Sequence, residues 1–526
     1  MEPGALLPDE LATPEHGQPP VRFIPTPSAP YLQQHRTARL LEQPAGPDGK
    51  PEPSGAGVDD EAHVEPPALP HAMGARVLMW KQDPSVGEIG TRRAYLPGAV
   101  LAGPRDARIA AGVPGIDPVE PNAFGDFVTQ PDTPQFDAVH TFTVVRQTLT
   151  MYQRSLGAAG IDMPLPWQWN TSMDTRPLSI FPHGLPNVMN AFYSRNQACL
   201  KFGDFIPIGQ KMNEKTGAMA DTKTDEAARV YTCRSFDIVA HETAHAVLDG
   251  LKPQWLLADA PPQTGGLHEA FGDLTAIFLA LSQLDQCEAV VAQTKAQLHD
   301  KNFLVDVAEQ FGLALGNPTG LRNADNDLTL GQAGTQVHAI SQVFTGAVYD
   351  ILADMFAHER NPALDDDAAV LHRVAAYLRG LLLRALIAAP DRAATYVDVV
   401  NQMLRILGED GKPDIYAAFV RNQFARRDVV ELPDATTASL AGLACTPLAA
   451  KVCDAPGARQ DRRTCCGTMN LPEYYKADRV LDLEAQALAR WCAANGRLGE
   501  CVMPAVAVVP VAAVPVAAVG GFAEES

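Results

Sequence analysis

The sequence predicts an α+β protein in which short strands come first and long helices follow. From about residue 76, short apolar runs such as Ala75-Arg-Val-Leu-Met-Trp80 alternate with Pro- and Gly-containing turns, the pattern of strands. From residue 237 onward, apolar residues recur at spacings of three and four over several long stretches, the pattern of amphipathic helices. With 526 residues, 46% of them hydrophobic, the chain has room for two or more domains and a sizeable core.

Residues 1–75 are rich in Pro, Gly and acidic side chains and poor in aromatics. Such a composition buries too little surface to offset chain entropy and is read as a disordered leader. It has no basic start and no apolar core of a secretory signal, so the cytoplasm is the default location, with unconventional export as the rival. Phe142–Leu156 is predicted to be a helix that ends at Gly157. Lys211–Ala228 is polar, of mixed charge, and reads as a surface segment.

Asp237–Gly250 is the next helix, stopped by Gly250 and Pro253, with Ile238, Val239, Ala244, Val247 and Leu248 on its apolar face. Gly265-Gly266 reads as a turn into a second helix, whose buried stripe runs from Leu267 to Leu281. Further helices are expected over 338–356, 370–387 and 393–407, and Tyr416–Phe424 closes the catalytic part. The extension 431–526 holds six of the nine cysteines, with no C-x-x-C pair, so free thiols are expected there rather than a second zinc site. Its tail, Val502–Phe522, is long enough to span a membrane. Pro504, Pro510 and Pro515 interrupt it, and a low-complexity tail is the expectation, not an anchor. A net charge of −20 and a pI near 5.0 argue against nucleic acid as a partner.

The chemistry is concentrated in His241-Glu242-Thr-Ala-His245. Residues four apart project from one helix face, so His241 and His245 can grip one metal ion. Glu242, about 100° further round, can reach a water beside that ion without being a ligand. In a chain with thirteen His the pattern would arise by chance on the order of once in a hundred such chains. A catalytic metal site needs a third ligand and an open position. Glu269 and Asp273, four apart on the second helix, supply a ligand and an acceptor for the ring N–H of a ligating His. They sit near the apolar side of the pattern, where bare acids would be costly to bury.

Taken together these stretches resemble the thermolysin-like zinc metallopeptidases, a branch of the gluzincins. That family pairs H-E-x-x-H with E-A-x-x-D on the next helix, here His241–His245 and Glu269-Ala-Phe-Gly-Asp273. Four further blocks match in the family's order: Asp137-Ala-Val-His140, with Val139 inserted; Asn190-Ala191-Phe-Tyr193; Leu321-Arg322-Asn323; and Val337-His338. The resemblance spans about residues 100–430. It implies a two-lobed catalytic domain over 76–430, with a strand-rich lobe to about residue 236, a helical lobe over 237–430 and the zinc helix in the cleft between them.

It further implies a zinc endopeptidase acting on peptide or protein substrates. His241, His245 and Glu269 hold Zn2+, Glu242 is the general base and Asp273 orients a ligand. His338 stabilises the oxyanion, Arg322 holds a substrate carbonyl, and Asn190 and Ala191 bind the peptide along an edge strand. Asp237 matches a structural-calcium position, but Ala280 stands where the next calcium carboxylate is expected, which counts against calcium. Two departures bear on rate and preference. Leu251–Leu257 carries no tyrosine, and Gly331–Gln336 lacks the aspartate that precedes the oxyanion histidine in the family. The alternative from another class is a catalytically weak or inactive zinc-bearing binding protein, which has no need of Glu242.

Overall fold

The computed structural model describes residues 74–84, 90–161, 165, 177–212, 219–223, 229–257, 260–308, 312 and 322–431, with residues 208–228 described by backbone alone where they are described. The expectations for the leader, for the Cys-bearing extension and for Leu321 fall outside these residues.

The fold is mixed α/β, with small sheets ahead of a run of helices. Strands β1 (Ala75–Trp80) and β2 (Thr91–Leu96) form an antiparallel pair. A five-stranded sheet joins β3 (Ile109–Ala111), β4 (Leu178–Leu185), β5 (Ala191–Ser194), β6 (Cys199–Phe205) and β9 (Val230–Tyr231). Its order is β3-β4-β6-β5, with β9 added on β6; β3, β4 and β6 run parallel, while β5 runs antiparallel to β6. This leaves β5 at an edge. The polar stretch after residue 207 contains an antiparallel hairpin, β7 (Ile208–Met212) with β8 (Met219–Lys223). Strands β10 (Asp306–Val307) and β11 (Arg322–Asn323) pair separately.

Helix α1 spans Pro134–Ala158, longer at both ends than expected. Thr133 accepts a hydrogen bond from Phe136 N and Pro134 occupies the first turn, two start signals that place the helix origin ahead of Phe142. α1 packs on β1, β3 and β4 and on α2 (Phe236–Leu251), so it ties the strands to the helical region. His140 on α1 is structural: it is buried, and its Nδ1 accepts from Trp80 N at 3.2 Å. Burial pushes its pKa down to about 4.

Helix α3 runs Pro262–Leu281, so Gly265 and Gly266 lie inside it and not in a turn before it. The reason is packing. A Cβ on Gly266 would collide with the Tyr396 hydroxyl and come within 2.7 Å of Ile340 Cγ2. Every residue of α3 is buried, and it packs on α2 and on α5 (Val337–Glu359). α4 (Leu284–Thr294), α6 (Asp367–Ala388), α7 (Tyr396–Glu409) and α8 (Asp414–Arg426) complete the helices discussed here. One apolar cluster runs without a break from Ala75 through Phe142, Leu248 and Phe278 to Val430. Among the described residues no single helix is long and apolar enough to cross a membrane.

Candidate metal centre

Ser235 caps α2 by accepting from Ile238 N, which fixes the helix start and hence which side chains face α3. His241 and His245 follow one turn apart, with ring centroids 4.7 Å apart and planes at 87°. Both are buried, and the Nε2 atom of each has no hydrogen-bond partner among the described residues. A buried imidazole nitrogen left this way costs free energy, so two together need an explanation.

The two Nε2 atoms converge on one carboxylate. His241 Nε2 lies 3.4 Å from Glu269 Oε2, and His245 Nε2 lies 3.7 Å from Glu269 Oε1. Ligands bound about 2.0–2.1 Å from a tetrahedral metal stand roughly 3.3 Å from each other. The spacing therefore fits three donors around one small cation. His241, Glu242 and His245 also form a group whose donor atoms all lie within 4.8 Å of one another. The residues present fit a divalent metal.

Gly272 makes this approach possible. A Cβ there would lie 2.5 Å from His241 Nδ1 and Cε1, so only glycine lets the imidazole lie against α3. Behind the ring, Asp273 Oδ1 meets His241 Nδ1 at 2.9 Å. Arg322 closes on the same carboxylate, Nε to Oδ2 at 2.9 Å and Nη2 to Oδ1 at 2.6 Å. Burial works against the His241 cation, but Asp273 and Glu269 overcome it and raise the pKa to about 10 in the metal-free protein. Burial likewise opposes ionisation of Asp273, and is outweighed by Arg322 and His241, which hold the carboxyl below its usual range. Glu269 is held well below its range because His338, His245 and His241 outweigh its burial.

His245 has a different neighbour. Its Nδ1 is 2.7 Å from Nδ1 of His268, a fully buried ring stacked at a centroid distance of 4.9 Å. For His245 Nε2 to offer a lone pair, its proton must sit on Nδ1; His268 then accepts and carries its own proton on Nε2. Burial pushes the His268 pKa down to about 3, so this ring is neutral.

The remaining expected residues take these places. His338 opens α5, with Nε2 at 3.1 Å from Glu269 Oε2. Gln336, which caps α5, places Nε2 3.1 Å from His338 Nδ1. Arg322 is on β11 with its guanidinium turned to Asp273. Asn190 and Ala191 lie at the start of the edge strand β5; Asn190 Oδ1 accepts from Ala191 N at 2.9 Å, and Asn190 O accepts from Gly203 N at 2.9 Å. Asp237 is in the first turn of α2, and Ala280 is fully buried.

No protein-family model matches the chain, and no curated protein does. Among solved structures it is similar to the precursor of protealysin, a metalloproteinase from Serratia proteamaculans. The identity is 15%, over 57% of this chain and 80% of that one, with a TM-score of 0.34. A likeness so slight carries no argument.

Several residues of the site escaped sequence reasoning. His268 precedes Glu269, and nothing in helical periodicity shows that it would meet His245. Asp249, at the end of α2, accepts from Tyr193 Oη at 2.7 Å and pairs with Arg195, so it ties the helix that carries His241 and His245 to β5. Trp255 stands in the segment that lacks a tyrosine; it is buried, and its Nε1 donates to Pro390 O at 3.0 Å. A second group with metal-ligating atoms, Asp137, His183 and Cys233, has Arg234 on its carboxylate, Nε to Oδ1 at 2.8 Å. That guanidinium already neutralises the carboxylate.

Proposed function

We propose that this chain is a zinc-dependent endopeptidase of the thermolysin-like, gluzincin type. The observation that carries the reading is the convergence of His241 Nε2, His245 Nε2 and the Glu269 carboxylate, with Glu242 in the same cluster. The motif order from Asp137 to His338 supports it. In this reading the part up to about residue 236 and the helical part 237–430 are the two lobes of the catalytic domain, α2 lies in the cleft, and residues 1–75 and 431–526 are appendages.

His241, His245 and Glu269 would hold the zinc. Bound there, the ion supplies Lewis acidity that makes water a nucleophile near neutral pH. Glu242 takes a proton from the attacking water and returns it to the leaving amine. His338 donates from Nε2 to the developing oxyanion, as its place beside Glu269 allows. Asp273 fixes the ring of His241, and Arg322, besides holding Asp273, engages a substrate carbonyl. Asn190 and Ala191 take the peptide as an added strand along the β5 edge.

The test is cleavage of a quenched fluorescent peptide library by the full-length protein, with and without a zinc chelator. Hydrolysis should be abolished by the chelator and restored by zinc. Glu242→Gln should keep its metal and lose activity by about 10²–10⁴-fold, the range for loss of a positioned base. Wild-type cleavage by Glu242→Gln would remove Glu242 from the mechanism. A metal-loaded wild-type protein with no hydrolysis would instead favour a zinc-bearing binding protein.

A further inference from the structure

A second concave site lies at the far end of α3. Residues Leu279–Gln283 are ten or more positions beyond Glu269, about 15 Å along the helix axis. There a cavity of about 430 Å³ opens between β2, one face of α1 and the α3–α4 junction. Its wall carries Arg92, Arg93 and Arg154, with Gln147 and Thr150 beside them, against one carboxylate, Asp285. In a chain of net charge −20 this is a local reversal of sign.

Arg92 is the informative member. Its side chain is only 17% exposed, yet its contacts are long: Nη2 to Gln147 Oε1 at 3.5 Å, and Nη1 to Asp285 Oδ1 at 3.7 Å. Nε is buried with no acceptor among the described residues. Asp285 is also shared with Lys81, whose Nζ lies 3.5 Å from Oδ2. One half-exposed carboxylate thus faces two cations, and the Arg92 guanidinium, in a sheltered wall, makes no bidentate pair among the described residues. Guanidinium forks match phosphate oxygens, and a sheltered wall strengthens the attraction. Besides the polar Ser282 and Gln283, the lining includes apolar side chains, Met151 and Leu284 among them. A volume of this size suits a small ligand.

We propose that this cavity binds a small organic phosphate, with its anionic group on Arg92 and Arg154 and its body against Met151 and Leu284. The site is independent of peptide hydrolysis and of the metal.

The experiment is calorimetric titration of the full-length protein with phenyl phosphate and with inorganic phosphate at low ionic strength. Phenyl phosphate should bind at one site and more tightly than inorganic phosphate, because only it reaches the apolar wall. Arg92→Gln should weaken it about tenfold, the loss expected for one charge-assisted contact pair. Asp285→Asn, a change at a half-exposed position, should tighten it several-fold and keeps the test decisive if Arg92→Gln folds poorly. Absence of binding at millimolar phenyl phosphate would overturn the proposal. So would an affinity indifferent to both substitutions, which would place the anion at the metal centre instead.

Discussion

His241 and His245 stand one turn apart on the same helix, yet their surroundings differ in charge. Behind His241 lies a buried ion pair, Asp273 with Arg322; behind His245 lies a neutral ring, His268. A carboxylate behind a ligating imidazole fixes its tautomer and raises its basicity, whereas a neutral acceptor fixes the tautomer alone. The difference follows from what surrounds each position. Asp273 can be buried because Arg322 accompanies it. An acid in place of His268 would set another buried anion directly beside Glu269, at a cost that a neutral ring avoids. The centre is therefore held firmly on one side and adjusted by shape on the other.

If that asymmetry governs metal affinity, the variants should fall in order. Asp273→Asn is expected to have the largest effect, toward a hundredfold loss of zinc affinity, because it removes the anion and leaves Arg322 facing the His241 ring. Competition against a chromophoric chelator measures this directly. Gly272→Ala should follow at tenfold or more: the new methyl group would stand 2.5 Å from the ring and push it out of line with His245. His268→Leu should cost about tenfold, since it strands a buried N–H, while His268→Asn should recover most of that loss by offering an amide oxygen. Equal losses for Asp273→Asn and His268→Asn would erase the distinction between the two sides.

A separate effect, on stability and not on metal affinity, concerns an imidazole remote from this asymmetry. His140 has its pKa lowered to about 4 by burial, below the ordinary 6.5. Its contribution to stability is therefore complete above pH 6.5 and is lost as pH falls from 6.5 toward 4, where the unfolded chain binds the proton and the native one does not. Between pH 7 and pH 5 this amounts to about 2 kcal/mol. His140→Gln should lose correspondingly less stability over that interval in urea titrations, with zinc present or absent. A zinc-dependent difference would connect His140 to the metal.

The helices were readable because their apolar spacing is local, and the candidate metal-holding residues stood out because chemistry ties residue type to spacing. In the structure His241 and His245 Nε2 lie 3.4 and 3.7 Å from the Glu269 carboxylate. Start signals were underused: Thr133-Pro134 marks the origin of α1 eight residues before Phe142, the first residue of the predicted helix. Gly265 and Gly266 looked like a turn because flexibility is the common role of paired glycines, whereas here the backbone of α3 has to pass close to Tyr396 and Ile340. The pairings His268–His245, Gln336–His338 and Asp249–Arg195 depend on how helices and strands meet. Periodicity within any one element carries no trace of them.

The most direct measurement is X-ray absorption at the zinc edge of the full-length protein loaded with one equivalent of zinc. A four-coordinate shell of nitrogen and oxygen only, at about 2.0–2.1 Å and with two imidazoles, is expected, together with a loss of stoichiometric zinc in Glu269→Ala. Sulfur at about 2.3 Å would place the metal on the cysteines, and would contradict a centre built by α2 and α3.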